Sequence, residues 1–168
     1  MEESLNEAIE HAKSLDTEFI IRKLKHDEKT PMDLLLLADP SEKSILKYIG
    51  KSEVYAALEN NHIIGVYVLT EIAPKKVELM NVAVAESHQG KGIGKLLVCH
   101  AIEVAKTSGR DSIEIGTGNS SIQQLALYQK CGFRMKEIFH DYFVKHYEEP
   151  IFENGIQCRD MVRLEIVF

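Results

Sequence analysis

Residues 86–97 spell ESHQGKGIGKLL, with Gly90, Gly92 and Gly94 on alternate positions and Lys91 and Lys95 among them. Glycines this close together serve a backbone that turns tightly or must approach something closely. The apolar residues Ile93, Leu96, Leu97, Ala101, Ile102 and Ala105 then recur with helical spacing. The loop therefore stands at a helix start, where free N–H groups and about half a positive charge favour an anion, most often a phosphate. Two phosphate motifs can be tested directly, and both fail. Walker A requires G-x-x-x-x-G-K-[ST], but Leu96 follows Lys95 where a hydroxyl belongs. The dinucleotide fingerprint requires G-x-G-x-x-G, whereas these glycines give G-x-G-x-G.

A second group of chemically able residues lies in FHDYFVKHYEEPIFENG, which gathers His140, Asp141, Tyr142, His146, Tyr147, Glu148, Glu149 and Glu153. Acidic and aromatic groups together suit a cationic amine, by charge and by cation–π contact. His140 and His146 have no third ligand at a suitable spacing, so no metal is expected. The three cysteines, Cys99, Cys131 and Cys158, are far apart and form no C-x-x-C pair. This argues for a reducing cytoplasm, without a disulfide framework or a zinc knuckle.

Elements must position these groups, and the chain supplies them in order. EFIIRKLK alternates as a first strand; Thr30-Pro31 opens a helix through PMDLLLLAD, and SEKSILKYIG forms a second that stops at Gly50. EVYAALE and IIGVYVLTEI are strands joined by a turn over residues 59–62, and VELMNVAV is a strand leading into the glycine loop. A helix then runs from Lys91 to about Thr107 and closes at Gly109. DSIEIGT is a strand, and Asn119 caps a helix ending at Cys131-Gly132. FRMKEIFHDYFV and CRDMVRLEIVF complete the order β-α-α-β-β-β-α-β-α-β-β, an α/β chain with a mixed sheet. Its central β-loop-α-β unit makes two strands parallel.

The bulk properties agree with a globular fold. A chain of 168 residues with 45% hydrophobic content can bury one core. A net charge of −6 without a long basic run points away from nucleic acid. No apolar run is long enough for a bilayer. The start, MEESLNEAIEHAKSL, is acidic and amphipathic, unlike a secretory signal. It is expected to form a helical extension over residues 1–16, with one domain over residues 17–168. That helix and the apolar ending MVRLEIVF are the features that would serve a homodimer.

Gln89-Gly90-Lys91-Gly92-Ile93-Gly94 resembles the Q/R-x-x-G-x-G/A signature of the GNAT N-acetyltransferases, and Leu96-Leu97 continues into the helix as in that family. VELMNVAV resembles the strand before that loop, and NSSIQQLALYQKCGF resembles the family's second signature, an Asn-led helix ending in Tyr-x-x-x-Gly-Phe. The resemblance spans roughly Ile20 to Val144 and implies the GNAT fold, with two central strands splayed apart. It implies that amides of Gln89, Gly90, Lys91, Gly92, Ile93, Gly94 and Lys95 grip the pyrophosphate of acetyl-CoA. The strand edge at Val82, Ala83 and Val84 would pair with the pantetheine arm, whose far end Asn119 would meet.

The resemblance also implies an acetyl transfer to an amine, without a Cys-bound intermediate. Tyr128 matches the tyrosine near the thioester sulfur, and as an acid it would protonate the leaving thiolate. A backbone N–H of Val82 or Val84 would serve the oxyanion. Glu78 stands where some members carry a catalytic glutamate; it or a water chain would be the base. Strict alternation places Glu78, Met80, Val82 and Val84 on one face. The expected acceptor is a small-molecule amine. A peptide or protein amine, or a non-catalytic acyl-CoA sensor, are the alternatives.

Overall fold

The computed structural model describes residues 19–168; the helix expected over residues 1–16 lies outside them. The elements are β1 (Phe19–Lys23), α1 (Met32–Ala38), α2 (Glu42–Ile49), β2 (Glu53–Glu59), β3 (His62–Ala73) and β4 (Lys76–Val84), then a 3-10 turn (Glu86–His88). There follow α3 (Ile93–Thr107), β5 (Ser112–Gly118), α4 (Ile122–Lys130) and β6 (Arg134–Phe139). Last come α5 (Tyr142–His146), β7 (Phe152–Glu153), β8 (Ile156–Gln157) and β9 (Met161–Val167).

Local chemistry explains most boundaries. Asn60 and Asn61 take φ of 49° and 63° between β2 and β3, the left-handed pair that a tight hairpin requires and that asparagine tolerates. Ser41 caps α2 by accepting from the Ser44 amide at 3.2 Å. α1 begins at Met32, with Pro31 rather than Thr30 at its cap and no side-chain cap bond. α4 likewise starts later than expected: Ser121, not Asn119, occupies the cap position. The Ser121 hydroxyl is instead bonded to Glu153 at 2.6 Å.

One sheet runs in the order β1-β2-β3-β4-β5-β9-β6, and β7-β8 form a separate hairpin. Among the described strands only β4 and β5 are parallel, and they pair over just Lys76↔Ser112, Val77↔Ile113 and Glu78↔Glu114. Beyond Glu78, β4 stays paired to β3 as far as Val84, and β5 stays paired to β9 as far as Gly118. Each strand is thus held by its outer neighbour while the two part from each other. The result is a V-shaped gap in the middle of the sheet.

Helices cover both faces. α3 buries Leu97, Val98, Ala101 and Ala105 in a cluster with Tyr67, Leu79, Ile113, Ile115 and Tyr128. Leu35, Ile45 and Tyr48 of α1 and α2 close over Val66, Val68 and Ala83 on the other face. Removing each large aliphatic side chain from water contributes about 1.5–3 kcal/mol.

Two further expectations need correction. The register of β3 against β4 shifts between Val68 and Leu69, opposite Asn81 and Leu79, which leaves Met80 as an extra residue. This bulge re-aims the strand: Met80 packs on the α1/α2 cluster, whereas Val82 and Val84 pack on the α3 cluster. Strict alternation from Glu78 to Val84 does not hold. The second concerns FRMKEIFHDYFV, whose strand ends at Phe139. Asp141 takes φ 59° while its amide donates to Asp160 at 2.8 Å and its carboxylate pairs with Arg159 at 2.5 Å. These anchors turn Tyr142–His146 into α5 despite a composition suited to a strand.

Candidate active site

The glycine loop joins the open end of β4 to α3. Gly90 and Gly92 hold φ of 76° and 81°, and a Cβ at either would meet nothing within 4 Å. Their requirement is therefore conformational, and the space beside the backbone is open. The first intrahelical bond runs from the Leu96 amide to Gly92 at 3.1 Å, so the amides before it lack an intrahelical acceptor. The Gln89 side-chain amide donates to the Val84 carbonyl at 3.0 Å and fixes the loop to the strand. Lys91 and Lys95 add charge. Free amides, left-handed glycines and a 15-residue helix behind them form a cradle that fits a diphosphate.

Past Glu78 the β5-facing edge of β4 has no strand partner among the described residues. Val82, Ala83 and Val84 lie on that stretch, paired to Tyr67, Val66 and Gly65 on the β3 side only. An extended ligand can therefore add to this edge as a strand would. Tyr128 of α4 belongs to the same cluster against which Val82 and Val84 pack. It is 8% exposed and edge-on to Phe133, with centroids 6.2 Å apart. Burial, reinforced by nearby Cys131, pushes its hydroxyl up to about 12, so at neutral pH it is a proton donor.

Glu78 occupies the last paired position, at the apex of the V. It is bound to Arg163 at 3.0 Å, and Arg163 also reaches Glu114 at 3.1 Å. Lys76 contacts Glu114 and Glu165 at 3.1 and 3.2 Å, and Lys136 contacts them at 2.6 and 3.1 Å. Burial alone would raise the Glu114 carboxyl, but Lys136 and Lys76 outweigh it and hold the group at about 2. The Lys136 ammonium is correspondingly raised by its carboxylates.

Asn119 lies where β5 ends. Its Oδ1 accepts the amides of Arg159 and Asp160 at 2.8 and 3.0 Å, and its Nδ2 donates to Gln157 at 3.1 Å. One N–H of this side chain is left over.

The acidic and aromatic residues of the segment 140–153 divide among several neighbours. His140 and Asp141 face Asp160 and Arg159. Tyr142 stacks on His146 at 4.3 Å. Glu153 accepts from Ser120 and Ser121 at the start of α4. Tyr147 donates to Asp39, at the end of α1, at 3.2 Å. Glu148 and Glu149 line a cavity of about 110 Å³ with Phe143, Tyr147 and Cys158.

Three polar residues here escape sequence reading. Arg163 and Asp39 are ordinary charged residues until the fold brings them to Glu78 and Tyr147. Asn81 carries one signal, a polar side chain within the apolar run VELMNVAV. It is 4% exposed and donates to the Leu35 carbonyl at 3.1 Å and to Tyr48 Oη at 3.3 Å. Among the described residues its Oδ1 has no hydrogen-bond partner.

A parting parallel strand pair, a glycine cradle at a helix start and a buried tyrosine in the cluster that Val82 and Val84 pack against are features that suit an acyl-CoA-dependent transferase. The family model described as Acetyltransferase (GNAT) family matches residues 13–133, and the chain belongs to that family. It is an N-acetyltransferase that uses acetyl-CoA. The uncharacterized N-acetyltransferase YvbK of Bacillus subtilis is 61% identical over 132 residues, 79% of this chain and 85% of that relative. A GNAT family acetyltransferase from Elizabethkingia anophelis, solved with acetyl-CoA bound, superposes with a TM-score of 0.87 at 45% identity, covering 89% of this chain and 98% of that one. A Bacillus cereus protein described as an IAA acetyltransferase gives a TM-score of 0.85 at 56% identity, covering 90% of this chain and 100% of its own. Among the described residues no helix is long and apolar enough to cross a membrane.

Proposed function

We propose that the enzyme acetylates the primary amine of a small molecule by direct attack of the amine on the thioester. The observation that carries this reading is the gap beyond Glu78↔Glu114, with Tyr128 packed in the cluster that Val82 and Val84 also join. The Gln89 amide is taken by the Glu86 carbonyl at 3.3 Å, so the amides of Gly90–Lys95 hold the pyrophosphate, and the free edge at Val82–Val84 holds the pantetheine arm. Asn119 has one N–H left for the far end of that arm.

An alkylamine with an ordinary pKa near 10.4 is free base in about one molecule in 2,500 at pH 7, a deficit of about 4.6 kcal/mol. Glu78, reached directly or through water, takes the proton that the attacking nitrogen loses. A backbone N–H of Val82 or Val84 donates to the oxyanion as the N–C bond forms. Tyr128 gives its proton to the thiolate as the C–S bond breaks. Support for an amine comes from Glu148 and Glu149 on the small cavity. That cavity suits one head group better than a length of peptide.

CoA release, measured with acetyl-CoA against polyamines, aminoglycosides, amino acids, IAA and N-terminal peptides, tests this reading. A small amine should exceed every peptide by at least about tenfold in kcat/KM, which is about 1.4 kcal/mol of transition-state discrimination. Peptides turning over faster, or no release with any acceptor, would reject it.

A further inference from the structure

β6 ends the seven-stranded sheet. It is paired to β9 on one side and to no strand among the described residues on the other. The apolar ending MVRLEIVF forms β9 and lies inside the sheet, between β5 and β6. All six residues of β6, Arg134 to Phe139, are exposed, with Met135 at 57% and Ile138 at 53%. Such an edge offers a row of unpaired N–H and C=O groups to any strand that fits it.

A bulge decides what fits. The register of β6 on β9 shifts between Met135 and Glu137, which leaves Lys136 as an extra residue. Met135 and Ile138 therefore stand opposite Leu164 and Val162, which belong to the core on the α3 face. Arg134 and Glu137 stand opposite Glu165 and Arg163, on the face that carries the ion network. Lys136 turns back over that face to Glu114 and Glu165, and the Arg163 guanidinium lies over the Phe139 ring at 5.5 Å. From Arg134 to Phe139 the faces run network, core, network, network, core, network. That order is the same read from either end. Six residues in strict alternation would read oppositely from the two ends.

We propose that two copies of the chain associate through β6, edge to edge and antiparallel about a two-fold axis. In the register that pairs the whole strand, Arg134 faces Phe139 of the second copy, Met135 faces Ile138 and Lys136 faces Glu137. The two-fold axis repeats each pair. Every pair then shares a face, so the hydrogen-bonding directions of the two edges agree as well. On the core face, Met135 and Ile138 of both copies close into one apolar patch. On the network face, Arg134 lies diagonal to Glu137 of the second copy, within reach of two long side chains. Lys136 stays with Glu114 and Glu165, so it does not compete for that carboxylate. A regular strand docked on the same edge would fall out of step at Lys136, so the bulge favours the chain's own copy. The contact is narrow, and association through it is weak and concentration-dependent. It does not depend on which amine the enzyme acetylates.

Sedimentation equilibrium of the full-length protein at neutral pH, from micromolar to near-millimolar concentration, tests the edge. Wild type should move from the mass of one chain, 19.0 kDa, towards twice that value. Arg134→Glu and Glu137→Arg should each raise the dissociation constant about tenfold, because like charges then meet across the seam. Met135→Asp, on the other face, should weaken association by a similar factor. An equimolar mixture of Arg134→Glu with Glu137→Arg should recover association as a heterodimer, since the exchanged charges are again opposite. Neither a misfolded variant nor an interface elsewhere on the molecule gives that recovery. Wild type at the mass of one chain throughout, variants that associate as wild type does, or a mixture no stronger than its components would each overturn the proposal.

Discussion

Tyr128 shows how much of a residue's chemistry its surroundings supply. Its burial against Phe133 and Cys131 keeps the phenol protonated far above neutral pH, so the group is available to donate rather than accept. Tyr128→Phe removes the proton and little of the packing. Turnover should fall about 10²-fold, as for loss of a general acid, while acetyl-CoA affinity measured by calorimetry changes by less than about twofold. Unchanged turnover would remove Tyr128 from the acid role. The type and position of Tyr128 are legible in the Tyr-x-x-x-Gly-Phe pattern. Glu78 is legible only as a carboxylate on a strand. Its bond to Arg163 joins residues 85 positions apart in the chain, and no local pattern encodes such a meeting.

Among the elements, the glycine loop was the most legible, because left-handed backbone leaves a mark in residue type. Gly92 and Gly94 nevertheless serve different ends. Gly92→Ala forces a side chain into φ 81° and should destabilise by about 1–2 kcal/mol. It should also weaken acetyl-CoA binding, since the amides shift together. At Gly94 a Cβ would meet Val84 Cγ2 at 3.9 Å and Leu127 Cδ2 at 4.0 Å, which is ordinary contact. Gly94→Ala should therefore keep or raise stability by up to about 1 kcal/mol within α3. Urea midpoints for the two variants check the contrast; equal losses would contradict it. The bulge at Met80 was not legible, because period-two alternation contains no notice of an inserted residue. The end of β6 escaped notice for a related reason: Asp141 is turned by Arg159 and Asp160, partners that only folding supplies.

At the scale of the molecule, the ion network of Lys76, Glu78, Glu114, Lys136, Arg163 and Glu165 ties β4, β5, β6 and β9 together where the sheet is still closed. Glu114 is held at about 2 in the fold, against an ordinary 4.5. A depressed carboxyl contributes stability above its unfolded value and loses it as pH falls through the folded one. The contribution, on the order of 3 kcal/mol, is complete above pH 4.5 and disappears toward pH 2. Unfolding free energy followed by urea titration should drop across that window, and Glu114→Gln should flatten the drop; an unaltered slope would contradict the assignment. The sequence by itself determined the element order as far as β6, the glycine loop at a helix start and the donor class. The first two rest on short-range rules of hydrophobic period, turn chemistry and glycine backbone freedom, which act within a few residues; the donor class rests on the resemblance of two separated segments to the GNAT signatures. Only the tertiary structure decided where β4 and β5 part, which face Val82 and Val84 take, and which distant groups surround Glu78, Asn81 and Tyr147. Those outcomes follow from strand register and long-range ion pairing, whose energies exist only once separated segments share one sheet.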